Sequence, residues 1–148
     1  VIDVAVSGLP MRRTEVFRLQ HAELSGHANR LEAVLTVSAL KGNEGAVRDA
    51  LTSFSAVLSS HAAQEDDRLY PMLFNHANPQ VRSEARQLHA DFGIIYSAVE
   101  VFIAVWSRDD ALESEPERFI HEATGVISTL RQRIARENDE LYARIDAL

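Results

Sequence analysis

The chain has 148 residues, a formal net charge of −7 and no cysteine. This length is typical of one domain with a substantial core. The negative charge and the scattered basic residues argue against a nucleic-acid surface. The absence of cysteine excludes disulfides, thiolate metal sites and cysteine nucleophiles, and it fits a reducing compartment. The longest apolar run, 92–106, is interrupted by Glu100 and is short for a bilayer. We therefore expect a soluble, cytoplasmic protein that binds neither nucleic acid nor a membrane.

The first half of the chain predicts two long helices after an N-terminal tail at residues 1–9. Pro10 suits the first turn of a helix, and apolar residues then recur at helical spacing, which predicts a first helix over 11–39. The pattern breaks at 41–43, where Asn43 can cap the next helix. That second helix is predicted to end near Phe74, with a kink at Pro71.

The second half predicts two more helices. Asn78 followed by Pro79 is a strong start signal for a third helix, which continues to about Trp106. Ser114 and Glu117 form a capping-box pattern, which predicts that a fourth helix begins there. Four long amphipathic helices joined by short loops predict an all-α fold over residues 10–148, an antiparallel up-down four-helix bundle.

The third helix has a second apolar stripe opposite its core-facing stripe. A helix that is apolar on two sides is usually covered on both. In a four-helix monomer the outer stripe would face water, so we predict that it forms a homodimer or partner interface. Its residues are Ile94, Ala98, Val101 and Val105.

The strongest chemical signal lies on the second helix, where Glu65 follows His61 by four residues. On a helix these two side chains lie about 40° apart, one turn from each other, within the core-facing stripe. A buried carboxylate is costly unless a partner compensates it. One interpretation is a structural histidine–glutamate pair, and the other is a pair of metal ligands.

Further histidines and a carboxylate fall in or beside the core stripes of the other helices. Imidazoles and carboxylates that converge inside a helix bundle are typical of sites for iron, although zinc or manganese accept similar ligands. The predicted metal ligands are His21, His61, Glu65, His89 and Glu137.

Over about residues 14–146 the chain resembles the hemerythrin-like (HHE) family of metal-binding helix bundles. The resemblance rests on His21 in Leu-Gln-His-Ala-Glu-Leu, on His61 and Glu65 followed by Leu-Tyr-Pro, on His89 in Gln-Leu-His-Ala-Asp-Phe, and on Glu137 followed by Leu-Tyr. It implies non-haem iron that binds or senses a small diatomic ligand, oxygen or nitric oxide, or that serves iron handling. No nucleophile-turn pattern favours an enzyme.

The chain departs from the family pattern at two positions. Arg133 replaces the fourth-helix histidine, and Gly93 lies where some members carry a second histidine on the third helix. Arginine is a permanent cation and no ordinary metal ligand. His27 could supply a ligand only if the first helix is rotated or bent. Three interpretations follow: a complete di-iron site with carboxylate bridges, a reduced site that holds one ion through His21, His61, Glu65 and Glu137 with or without His89, or a metal-free regulatory or interaction bundle.

Overall fold

The computed structural model describes residues 13–148, so the predicted tail lies outside the described residues. The helical elements and their bounds are α1 Glu15–Glu32, α2 Val37–Leu40, α3 Glu44–Gln64, π1 Glu65–Leu69, α4 Tyr70–Phe74, α5 Pro79–Trp106, α6 Ala111–Ser114, α7 Pro116–Arg136, π2 Glu137–Tyr142 and α8 Ala143–Asp146. No strand occurs within residues 13–148. The predicted all-α class is confirmed.

The four long helices form a closed ring. Helix α1 packs against α3 and α7, and α5 packs against the same two helices. Because consecutive long helices are joined by short connections, neighbours run antiparallel. The predicted four-helix bundle is therefore correct.

Several helix ends differ from the prediction. Asn78 caps α5 as expected, since its side chain accepts a hydrogen bond of 2.9 Å from the Gln80 N–H. The first helix ends at Glu32 instead of 39, because the Thr36 side chain caps the separate helix α2. Helix α7 begins at Pro116, but Glu115 is its N-cap, since Ser114 is the last residue of α6.

Two apolar clusters fill the bundle and leave a polar layer between them. The larger cluster includes Leu24, Leu58 and Leu130. The smaller cluster includes Phe17 and Leu141. The polar layer separates the two apolar clusters along α1, along α3 with π1, and along α7 with π2. Its buried members are His21, His61, Glu65, Arg133 and Glu137.

Both glutamates of this layer begin a π-helical turn. In π1 the Tyr70 N–H bonds to the Glu65 carbonyl, five residues back. The equivalent turn π2 starts at Glu137 and ends at Tyr142. A π-turn joins residues five apart by a backbone hydrogen bond, and such turns are frequent at functional sites. The tyrosines that follow the two glutamates by five residues, Tyr70 and Tyr142, are both buried.

Three of the four residues in the predicted outer stripe of α5 are exposed in the single chain: Ile94 is 72% exposed, Val101 is 63% exposed, and Ala98 is also exposed. The fourth, Val105, is half-buried and packs against the larger apolar cluster. By length and composition alone α5 could cross a membrane. In its most apolar 18-residue stretch, 22% of the residues are buried inside the bundle. One such helix is weak evidence for a membrane span, and the inner side of α5 packs into the larger apolar cluster. The interface stays a prediction, and concentration-dependent sedimentation that Val101→Asp abolishes would support it.

Candidate metal centre

Four of the five predicted ligands meet in the polar layer. Their ligand atoms all lie within 4.8 Å of one another, and all four side chains are buried. His21 Nε2 is 3.0 Å from His61 Nε2 and 2.7 Å from Glu137 Oε2. His61 Nε2 is 2.7 Å from Glu65 Oε1. Two imidazoles and two carboxylates from α1, α3 and the two π-turns thus lie together. These four side chains form the ligand group, called the group from here on.

Neighbouring amides fix the orientation of both imidazoles. His21 Nδ1 lies 2.7 Å from Asn138 Oδ1, and His61 Nδ1 lies 2.6 Å from Gln20 Oε1. An amide oxygen only accepts hydrogen bonds, so each Nδ1 is the donor. Each Nε2 therefore points to the centre of the group, which is the arrangement that hydrogen-bonded metal-ligating histidines adopt.

Arg133 occupies the other side of the layer. Its Nε donates to Glu137 Oε1 at 2.5 Å, and its Nη1 donates to the Phe92 carbonyl at 3.2 Å. Its Nη2 lies 3.8 Å from Glu65 Oε1. Gly93 leaves open space beside it. This half of the layer therefore holds a permanent cation, where the resemblance implies a fourth-helix histidine.

The buried charges shift one another's ionisation. Burial opposes the charge of His61, but the attraction of the nearby Glu137 and Glu65 carboxylates outweighs burial and raises the His61 pKa to about 9. Burial would raise the pKa of Glu137, but His21, His61 and Arg133 together hold it well below its usual value. Burial raises the pKa of Glu65, against the attraction of His61 and Arg133.

The two carboxylates differ in how well they are satisfied. Glu65 is 1% exposed, yet neither of its oxygens has a well-oriented hydrogen-bond donor among the described residues. Its 2.7 Å contact with His61 is an ion pair without hydrogen-bond alignment. A buried carboxylate without donors is costly, and a cation compensates it well. This orphaned carboxylate and the thiolate-free donor set fit a metal ion that accepts nitrogen and oxygen ligands.

The fifth predicted ligand, His89, is not part of the group. Its side chain is 47% exposed and pairs with Asp66 at 2.9 Å. Its ring packs edge-on against Tyr70 and Phe74. His27 lies elsewhere, beside Phe54 and Arg30. The structure therefore supplies no third histidine to the group.

The sequence interpretation did not include three residues that contact the group. Gln20 and Asn138 orient the imidazoles. The Tyr142 hydroxyl lies 3.0 Å from His21 Nε2. Gln20 and Asn138 directly adjoin His21 and Glu137 in the sequence, and this adjacency could have indicated that they lie at the site. Tyr142 was less visible, because 3.6-residue periodicity does not predict a π-turn.

Comparison with known proteins agrees with this geometry. The family model for the hemerythrin HHE cation-binding domain matches residues 12–145. No curated protein and no solved structure matches the chain. Because the match covers nearly the whole chain and the described bundle holds a buried histidine–glutamate cluster, this chain belongs to the hemerythrin HHE cation-binding domain family.

Proposed function

We propose that this chain binds one non-haem iron ion through His21, His61, Glu65 and Glu137, and that it binds or senses oxygen or nitric oxide, or handles iron. The observation that carries the proposal is the buried group itself, whose ligand atoms lie within 4.8 Å of one another. Glu65 in that group has no aligned donor among the described residues, so a cation would satisfy it.

The choice of one ion rests on Arg133. A second ion would have to share the layer with a guanidinium that is already held by Glu137 and by the Phe92 carbonyl. Two cations so close would repel strongly in this buried layer. The residues that could serve a second ion are also lacking, since position 93 is glycine and His89 pairs with Asp66 outside the layer.

A cavity beside Arg133 supports a role with small molecules. It has a volume of about 250 Å³, and its lining includes Glu65, Tyr70, Gly93 and Arg133. Glu65 thus belongs both to the ligand group and to the cavity wall. A bound iron ion would supply an open coordination position for a diatomic ligand, and the cavity offers that ligand a route from the surface.

The charge balance favours one second candidate, a metal-free regulatory or interaction bundle. With a pKa of about 9, His61 carries a proton at neutral pH. The charges of His61 and Arg133 then offset those of Glu65 and Glu137 without any ion. In that case the bundle would act through its surfaces, with the outer stripe of α5 as the docking face.

Metal content decides between these candidates. The purified chain would be loaded with ferrous iron under anaerobic conditions, desalted and analysed by mass spectrometry, and its spectrum would be recorded before and after oxygen or nitric oxide is added. One iron per chain with a spectral response supports the proposal. Two irons per chain would overturn the single-ion assignment, and no retained iron would favour the metal-free bundle.

Matched variants make this test specific. His21→Ala should abolish iron retention, whereas His121→Ala, at an exposed position on α7, should leave it unchanged. Arg133→His restores the residue type that the family resemblance implies and removes the fixed charge. This variant should accept more iron than the native chain if Arg133 is what limits the site to one ion.

A further inference from the structure

The Tyr142 hydroxyl lies against the two ring nitrogens that face the centre of the group. It is 3.0 Å from His21 Nε2 and 3.4 Å from His61 Nε2, and the side chain is fully buried. We propose that Tyr142 is a further ligand, whose phenolic oxygen binds the ion when it is ferric. This inference rests on the proposed metal-binding function.

The spacing of the atoms supports this assignment. Adjacent ligand atoms at about 2.1 Å from an octahedral ion lie about 3 Å from each other. The two Nε2 atoms are 3.0 Å apart, and His21 Nε2 is 2.7 Å from Glu137 Oε2. The Tyr142 oxygen lies 3.0 Å from His21 Nε2, at this spacing, and 3.4 Å from His61 Nε2, slightly beyond it. The phenolic oxygen thus belongs to the same shell of atoms as the four proposed ligands.

Hydrogen bonding gives an independent argument. Among the described residues, the Tyr142 hydroxyl has hydrogen-bond partners only in His21 Nε2 and His61 Nε2. Once both nitrogens direct their lone pairs to an ion, neither can accept a hydrogen bond from the phenol. A buried hydroxyl without a partner is destabilising. Binding of a ferric ion through the phenolic oxygen would remove this cost, since an oxygen–iron bond would replace the O–H bond and the proton would pass to water.

The position of the ring is fixed by its surroundings. It stacks on the His21 ring with centroids 4.9 Å apart, and the Arg18 guanidinium lies 5.5 Å from its centroid on the ring face. Tyr142 is the last residue of the π-turn that begins at Glu137. These contacts hold the hydroxyl at the group without any movement of the backbone.

Tyr70 provides a matched control. It also follows a buried glutamate by five residues at the end of a π-turn, and it is buried. Its hydroxyl, however, has no hydrogen-bond partner among the described residues, and Tyr70 lines the cavity beside Arg133. The two tyrosines therefore share a local sequence pattern but not a place at the group.

The test compares the native chain with Tyr142→Phe and Tyr70→Phe. Each protein is loaded with ferrous iron, oxidised with ferricyanide and desalted, and its visible and resonance Raman spectra are recorded. The native chain and Tyr70→Phe should show a phenolate-to-iron charge-transfer band with enhanced tyrosine ring vibrations, and Tyr142→Phe should lose both. A band that persists in Tyr142→Phe, or native protein that holds iron without the band, would overturn the assignment.

A second measurement covers a Tyr142→Phe variant that folds poorly. The chain has three tyrosines, so Tyr70→Phe/Tyr96→Phe leaves only Tyr142. With ring-deuterated tyrosine, the enhanced vibrations of this double variant should shift to lower frequency, and unshifted vibrations would refute the assignment. Native protein that retains no iron would overturn the proposed function together with this inference, whereas iron without tyrosine signals overturns the inference alone.

Discussion

The two halves of the polar layer start from nearly the same local sequence. On one side His61, Glu65 and Tyr70 are spaced by four and five residues, and on the other side Arg133, Glu137 and Tyr142 have the same spacing. Both segments pass into a π-turn at the glutamate. The halves differ at the first position. One half has an imidazole there, which can exchange a proton for a metal ion, and the other half has a guanidinium, whose charge is permanent.

This difference contributes to the different states of the two glutamates. Glu137 lies 2.7 Å from His21 Nε2 and 2.5 Å from Arg133 Nε, and these contacts together with His61 hold its pKa well below the usual value. Glu65 has no aligned donor, and its pKa is raised by burial. The comparison teaches that a fixed cation satisfies one carboxylate of the layer and leaves the other for an exchangeable cation.

The largest effect should come from removing the carboxylate that pairs with Arg133. Glu137→Gln leaves a buried guanidinium without its counter-charge, which should lower the free energy of unfolding of the metal-free protein by about 3–5 kcal/mol. Urea unfolding followed by circular dichroism measures this change. Glu140→Gln, an exposed neighbour paired with Arg136, is the control and should change it by less than about 0.5 kcal/mol.

A double variant sharpens this result. In Arg133→Met/Glu137→Gln both charges are removed while most of the side-chain volume is kept. Because neither partner's charge is then left uncompensated in the buried layer, the double variant should recover most of the lost stability. If it is as unstable as Glu137→Gln alone, the charge pair does not explain the loss.

The other carboxylate should behave in the opposite way. Glu65→Gln removes a charge that burial disfavours, so the stability of the metal-free protein should change by less than about 1 kcal/mol. Affinity for ferrous iron, measured by competition with a chelator, should fall by about a hundredfold or more, since a charged ligand is lost. Equal losses of stability in the Glu65 and Glu137 variants would refute the contrast between the two halves.

The pH dependence of the metal-free protein follows from His61. Its pKa of about 9 in the folded chain exceeds the ordinary value of 6.5, so its contribution is complete below pH 6.5 and is lost as the pH rises through 9. With a chelator present, unfolding free energies should fall by on the order of 2 kcal/mol between pH 6.5 and 9. His61→Gln should flatten this slope, and an unchanged slope in that variant would assign it to other groups.

The sequence allowed prediction of the bundle and of four residues that meet inside it, because helical periodicity and the spacing of His61 and Glu65 are local properties. It did not allow prediction of His89's position. Whether its ring turns inward depends on packing against Tyr70 and Phe74 and on the pair with Asp66. The site contact of Tyr142 was likewise hidden, because a π-turn changes the register that a 100° step per residue assumes.

The smallest effects should come from the amides that orient the imidazoles. Asn138→Ala removes the acceptor of the His21 Nδ1–H, and Gln20→Ala removes that of His61. Loss of such a partner typically lowers metal affinity about 10- to 100-fold, because the ring is less well oriented and less basic.

The same chelator competition measures both variants, and Asp139→Ala on the same π-turn serves as the control. Because Gln20 and Asn138 are only partly buried, water can replace each lost acceptor, so these variants should weaken iron binding while the metal-free chain keeps most of its stability. Loss of stability without loss of iron affinity would mean that the amides serve the fold, not the ion.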